Sequence, residues 1–199
     1  EDDIISHLID SGYSRGEILM ECLTYGTAGM VTTREFISVA AWHLLRDERL
    51  REAFLTGDTD QRHAILNEII RLEPPVGHLY RRVIGGGTTT AGGCPFAAGT
   101  LVDIDVRSAN LDEQVFGDDA DQLVPNRGIP AAEQPGLSFG DGAHRCPGSP
   151  LAILETDALL LELLARRPVI EQDPSVQWDT LVEGYQLRGF VLRFPAAGE

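Results

Sequence analysis

The stretch Leu137-Ser138-Phe139-Gly140-Asp141-Gly142-Ala143-His144-Arg145-Cys146-Pro147-Gly148 ends on one cysteine inside a glycine-punctuated loop and runs straight into an apolar segment. That setting suits a thiolate acting as a metal ligand. Gly140, Gly142 and Gly148 permit backbone conformations closed to other residues and let the main chain approach a flat ring, so amide groups around Cys146 can turn toward its sulfur. A helix predicted from Ser149 begins where the sulfur sits, and its positive end favours the deprotonated form. The alternative is a structural cysteine packed as a small hydrophobe.

Several elements must position this loop. Ile4, Ile5, Leu8 and Ile9 recur at helical spacing before Ser11-Gly12 breaks the pattern. Ser14 with Glu17 three residues on forms a capping box for a helix over about 15–46. Its middle, Tyr25-Gly26-Thr27-Ala28-Gly29-Met30-Val31-Thr32-Thr33, is poor helix material, so either something besides propensity maintains it or two helices meet at a Gly-Thr linker. Thr32 can bond the carbonyl one turn back or release it, bending the helix and freeing a donor. A short helix over Asp47–Leu55 follows, then one over about 60–72 that stops before Pro74-Pro75. It places Glu68 and Arg71 at i and i+3 on one face, a spacing that contributes little on an exposed surface.

Beyond it, 79–84 and 101–106 read as strands, with turns at Gly85-Gly86-Gly87 and Gly92-Gly93 that lack the Gly-Lys-Ser/Thr of a phosphate loop. A helix over 149–167 is expected to bury Leu151, Leu154, Ala158, Leu161 and Leu164 before Pro168 ends it. The tail, with Leu181-Val182 and Phe190 to Phe194, reads as a β-hairpin over about 181–194 that turns near Gln186-Leu187.

Phe139-Gly140-x-Gly142-x-His144-x-Cys146-x-Gly148 resembles the cysteine-loop signature of the cytochrome P450 family, bacterial type, with every signature position filled. The resemblance implies a mainly α fold with a minor β region, the C-terminal haem-binding half of the cytochrome P450 fold, over 1–199. It implies haem b with Cys146 as axial ligand and Phe139 and Gly140 beside it. Ala28 and Gly29 match the small pair where dioxygen sits, and Thr32 the threonine that serves proton delivery. Glu68, Arg71 and the candidate Arg127 match a buried charged triad, although the spacing before Arg127 is one residue longer than the pattern. His144 and Arg81 match haem-propionate partners, Arg82 competing with Arg81 because adjacent strand residues face opposite sides. Ala109-Asn110-x-Asp112 resembles a further family segment. Tyr25, Ala28, Gly29, Gly77, His78, Gln186 and Leu187 match pocket positions. One departure stands out: Val31 occupies the position that usually carries Asp or Glu, and Glu35, one turn beyond Thr32, points elsewhere.

Composition sets bounds on the function. The 199 residues are 43% hydrophobic and 24% charged, with net charge −15, which argues against nucleic-acid binding. Cys22, Cys94 and Cys146 suggest neither a disulfide framework nor a zinc site, and a reducing cytoplasm fits best. No stretch reaches the ~18 consecutive apolar residues of a membrane span. The expectation is a haem-thiolate monooxygenase acting on a small organic substrate, fed by a separate ferredoxin-type redox partner and completed by an N-terminal half of the same protein. Two alternatives are peroxide-dependent or substrate-assisted chemistry, raised by Val31, and a degenerate partner-binding domain.

Overall fold

A computed structural model describes residues 3–85, 87–89, 92–180 and 182–195. Four helices open the chain: α1 (Ile4–Asp10), α2 (Arg15–Arg46), α3 (Glu48–Thr56) and α4 (Thr59–Leu72). Their starts are written in side chains. Ser14 and Glu17 close a reciprocal capping box on α2, Asp47 caps α3, and Asp58 and Gln61 form a second box on α4.

α2 remains one continuous helix through Gly26 and Gly29. Among the described residues, the second half is the part that joins the core. Phe36, Val39, Ala40, Ala41 and Leu44 join Phe54 of α3 and Ile65, Leu66, Ile69 and Ile70 of α4 in the core. The first half carries Leu19, Met20, Leu23 and Met30 exposed, Met30 at 72%.

After the Pro74-Pro75 turn, β1 (His78–Arg82) pairs antiparallel with β4 (Leu101–Asp105), with Arg81 opposite Val102, and β2 (Thr88–Thr89) pairs with β3 (Pro95–Phe96). Val106 opens α5 (Val106–Asn110) instead of extending β4, because Asp105 accepts the Ser108 N–H and starts a helix. α6 (Glu113–Phe116) follows, and an irregular segment leads to a single 3-10 turn at Gly142–His144.

α7 (Ser149–Ala165) corrects the sequence reading twice. It stops at Ala165, short of 167, where Arg167 turns to φ +49° ahead of Pro168. Its buried side is Ile153, Thr156, Asp157, Leu160 and Leu164, while Leu151, Leu154 and Ala158 are exposed. A helix apolar on nearly every side offers no stripe from which periodicity can choose a face. What selects the face is Asp157, held by Arg62 of α4 at 2.6 Å, which pins that side inward.

The tail is also rearranged. β5 (Val169–Gln172) pairs with β8 (Val191–Arg193), and β6 (Ser175–Asp179) pairs with β7 (Gly184–Arg188). The β6–β7 hairpin closes on the pair Asp179 and Gly184, so Gln186 and Leu187 lie within a strand, not at a turn, and Leu181 falls outside the described residues. Gly184 explains the placement. Its Cα packs against the Pro74-Pro75 turn so closely that a Cβ would sit 2.0 Å from Pro75 O.

Candidate cysteine-loop site

Arg71 is the centre from which the site is built. It is fully buried, so each guanidinium N–H needs an acceptor. Nε and Nη2 form a fork onto Glu68 at 2.8 and 2.7 Å, and Nη1 reaches Asn110 O at 2.6 Å and Ala120 O at 2.7 Å. The guanidinium also lies 4.7 Å from the Phe116 ring centroid. Arg127 donates to the same Glu68 Oε1 at 2.6 Å, as does the Val124 N–H at 3.0 Å, and Arg127 pairs in turn with Asp119. The structure therefore brings Glu68, Arg71 and Arg127 together. Burial raises the Glu68 pKa, and the bonds from Arg71, Val124 and Arg127 outweigh it and hold the carboxyl below the usual glutamate range.

Asn110 links this network to the cysteine loop. Fully buried, it donates to Arg71 O and Ser138 Oγ, both at 2.9 Å, and accepts the Leu137 N–H at 2.7 Å. Ser138 Oγ donates in turn to Ile70 O at 2.7 Å. Gly136, at φ +56°, lets the loop close over this amide, since a Cβ there would meet Asn110 Oδ1 at 2.2 Å. Sequence reasoning noted Ala109-Asn110-x-Asp112 without giving Asn110 a role. The signal was an amide side chain in an otherwise ordinary segment.

Past this anchor the loop turns outward. Phe139 packs against the core, and its carbonyl accepts the Cys146 N–H at 2.7 Å. Gly140 at φ +69° lies under His144, where a Cβ would stand 3.3 Å from His144 O. Cys146 and His144 are both exposed. The expected turning of amides toward the sulfur is not what the Cys146 N–H does, because Phe139 takes it. Gly148 keeps an ordinary φ of −85°, so its contribution is proximity: a Cβ there would lie 3.8 Å from Cys146 Sγ. It also serves as N-cap of α7, which carries Pro150 in its first turn, where a missing N–H costs nothing.

Thr32 and Arg81 stand on separate elements and share no hydrogen bond with the loop among the described residues. Thr32 Oγ1 donates to Ala28 O at 2.8 Å, one turn back. Ala28 and Gly29 are exposed, with open space where a Gly29 Cβ would be. Arg81 is exposed, donates to Tyr80 O at 2.9 Å and has no acidic partner among the described residues, whereas Arg82 donates to Gly99 O. Glu35 is buried and turned to β7, bonded to the Leu187 N–H at 3.0 Å and Arg188 at 2.9 Å. Gly77 donates to Glu183 O at 2.9 Å, and His78 pairs with Asp103 at 3.0 Å.

This donor set fits a flat, metal-centred ring with an anionic edge. An uncovered thiol stands at a helix start behind a side-chain-free glycine, His144 presents an exposed ring N–H, and Arg81 is a guanidinium with no acid committed to it among the described residues. No group of three or more His, Cys, Asp or Glu that could hold a bare metal ion occurs among the described residues.

Comparison with known proteins agrees. The cytochrome P450 family profile matches residues 62–185. The chain is 32% identical to the steroid C26-monooxygenase of Mycolicibacterium smegmatis over 84% of its own length and 41% of that protein. It is 38% identical to the erythromycin C-12 hydroxylase of Saccharopolyspora erythraea over 55% of its length and 27% of that protein. It superposes on the versatile cytochrome P450 enzyme CYP109B1 from Bacillus subtilis with TM-score 0.80 and 28% identity, covering 98% of this chain and 51% of that one. The chain thus spans about half the length of such relatives, or less. With the profile spanning more than half of its residues, the chain belongs to the cytochrome P450 family.

Proposed function

We propose that this chain is the haem-binding half of a haem-thiolate monooxygenase. The observation that carries the reading is an exposed Cys146 whose loop is fastened, through Phe139, Ser138 and Asn110, to the buried Glu68–Arg71–Arg127 network. Haem b, when bound through the Cys146 thiolate, supplies oxygen-activating chemistry, the thiolate favouring O–O cleavage. The chain's own residues do the rest. Cys146 presents its sulfur at the start of α7. His144 and Arg81 would hold the propionates through their N–H donors, and Phe139 and Gly140 would bring the loop backbone against the haem. Ala28 and Gly29, exposed on α2 with open space at the Gly29 Cβ position, would leave room for a small organic substrate, together with Tyr25, Gly77 and His78. Thr32 holds its proton against Ala28 O and can release it toward that space.

The redox partner is of ferredoxin type, the setting is cytoplasmic, and the haem envelope is completed by an N-terminal half of the same protein. Exposed Leu19, Met20, Leu23 and Met30 on α2 support that last point, since apolar clusters of this extent mark contact surfaces. No described helix is long and apolar enough to cross a membrane.

A peroxide-dependent or substrate-assisted variant is favoured by Val31 and by Glu35, whose carboxylate is committed to Arg188 and Leu187 and so cannot replace the missing acid beside Thr32. Haem content and the ferrous–CO spectrum test the main reading, a thiolate-type spectrum being expected. Turnover with oxygen plus reductant, compared with turnover on peroxide, separates the two chemistries.

A further inference from the structure

We propose that Glu35 is a positioning residue: its carboxylate ties strand β7 to helix α2 one turn beyond Thr32 and so sets how far the Gln186–Arg188 segment intrudes on the substrate space. The inference rests on the monooxygenase reading above.

Glu35 follows Thr32 by three residues, on the same side of the helix and about 4.5 Å along its axis. Its oxygens accept from Arg188 Nη1 at 2.9 Å, the Leu187 N–H at 3.0 Å and Arg34 at 2.6 Å. The Leu187 contact is made by the main chain, so the strand itself is gripped whatever side chain it carries. Arg188 extends the grip, donating to Leu187 O at 2.7 Å and to Gln186 Oε1. Burial pushes the Glu35 pKa up, yet these donors prevail and keep the carboxylate charged at neutral pH.

The other end of β7 is pinned independently. The Gly77 N–H bonds Glu183 O at 2.9 Å, and Gly184 rests against Pro75. Between the two anchors lie Tyr185 and Gln186. Tyr185 meets the Trp178 ring edge-on at 5.3 Å, and Arg107 lies 5.6 Å from its centroid.

Leu187 packs against the core, yet space remains beside the strand. Beside it lies a cavity of about 260 Å³ bordered by Glu35 itself, with Val39, Trp42, Pro75, Tyr185 and Leu187. With the clamp released at Glu35, β7 has somewhere to retreat, and the space on its Gln186 face widens. Glu35 therefore acts on selectivity by holding a wall, without touching substrate.

The test uses the haem-loaded protein and two haem-ligating probes, unsubstituted imidazole and the bulky N-triphenylmethylimidazole, read by Soret shift, with amide hydrogen exchange at Leu187 as a second readout. In Glu35→Gln, Leu187 exchange should rise about tenfold, a change of 1.4 kcal/mol in the opening equilibrium, and the affinity ratio of bulky to small probe should rise by a similar factor. Imidazole affinity should stay within about twofold, because the small probe never reaches β7. Glu35→Asp should fall between wild type and Gln. If Glu35→Gln does not fold, Arg188→Gln releases the clamp from its partly exposed partner and is read the same way. Faster exchange with an unchanged probe ratio shows Glu35 to be merely structural and overturns the proposal, as does no change in either quantity. A wild-type protein without a Soret band overturns the haem reading and the selectivity role with it, while Leu187 exchange still reports whether the clamp exists.

Discussion

Arg71→Met removes a fully buried cation while keeping an unbranched side chain of similar reach. Glu68 loses its forked partner, and Asn110 O and Ala120 O lose donors at 2.6 and 2.7 Å. Breaking a buried pair costs about 3–5 kcal/mol, and the lower end applies because Arg127 and the Val124 N–H still hold Glu68. Each stranded carbonyl adds about 1 kcal/mol, for a total near 5 kcal/mol. That is a large share of the whole stability of a typical domain, about 5–15 kcal/mol. In a fold of this size each kcal/mol moves the midpoint by roughly 2–4 °C, so a thermal melt followed by near-ultraviolet circular dichroism should shift down by about 10–20 °C. The double variant Arg71→Met/Glu68→Leu should recover part of the loss, since removing both charges leaves no orphaned ion. A shift of less than about 3 °C in the single variant would refute the reasoning, because it would mean that water reaches the network.

Other expectations are briefer. Cys146→Ala should abolish the thiolate-type ferrous–CO spectrum while Cys22→Ala and Cys94→Ala retain it, and survival of that spectrum in Cys146→Ala would remove the assignment of the ligand. Val31→Asp should bring no gain in product formed per reductant consumed, and Thr32→Ala should be mild; a large rise in the first with a severe loss in the second would restore the ordinary proton relay. Acid should act through Glu68. Its folded pKa lies below the ordinary 4.5, so the stability it contributes is full above that value and is lost as pH falls toward the folded pKa. The melting temperature should accordingly hold from pH 7 to about 5 and drop below about 4.5, a drop that Glu68→Gln should blunt; parallel wild-type and variant curves from pH 5 to 3 would contradict this.

What the sequence revealed was local chemistry. Ser14 with Glu17 marks the start of α2 because a capping box needs only neighbouring residues. Arg127 was legible through family resemblance, and its spacing, one residue longer than the pattern, does not prevent it from reaching Glu68. What stayed hidden was settled across long separations. The inward face of α7 depends on Arg62 finding Asp157, 95 residues away, and hydropathy ranks Asp157 as a surface residue. The turn of the final hairpin depends on Gly184 meeting Pro75, an approach no local pattern encodes. Glu35 was expected to point elsewhere than to proton delivery, and its destination at β7 lies 152 residues downstream.

The interlock of Asn110 with Gly136 also orders events in time. One carboxamide joins positions separated by 39 residues on one side and 27 on the other, so it forms only after α4 and α5 have docked and the intervening loop has closed. The cysteine loop is therefore not fixed at this point until α4 and α5 are in place.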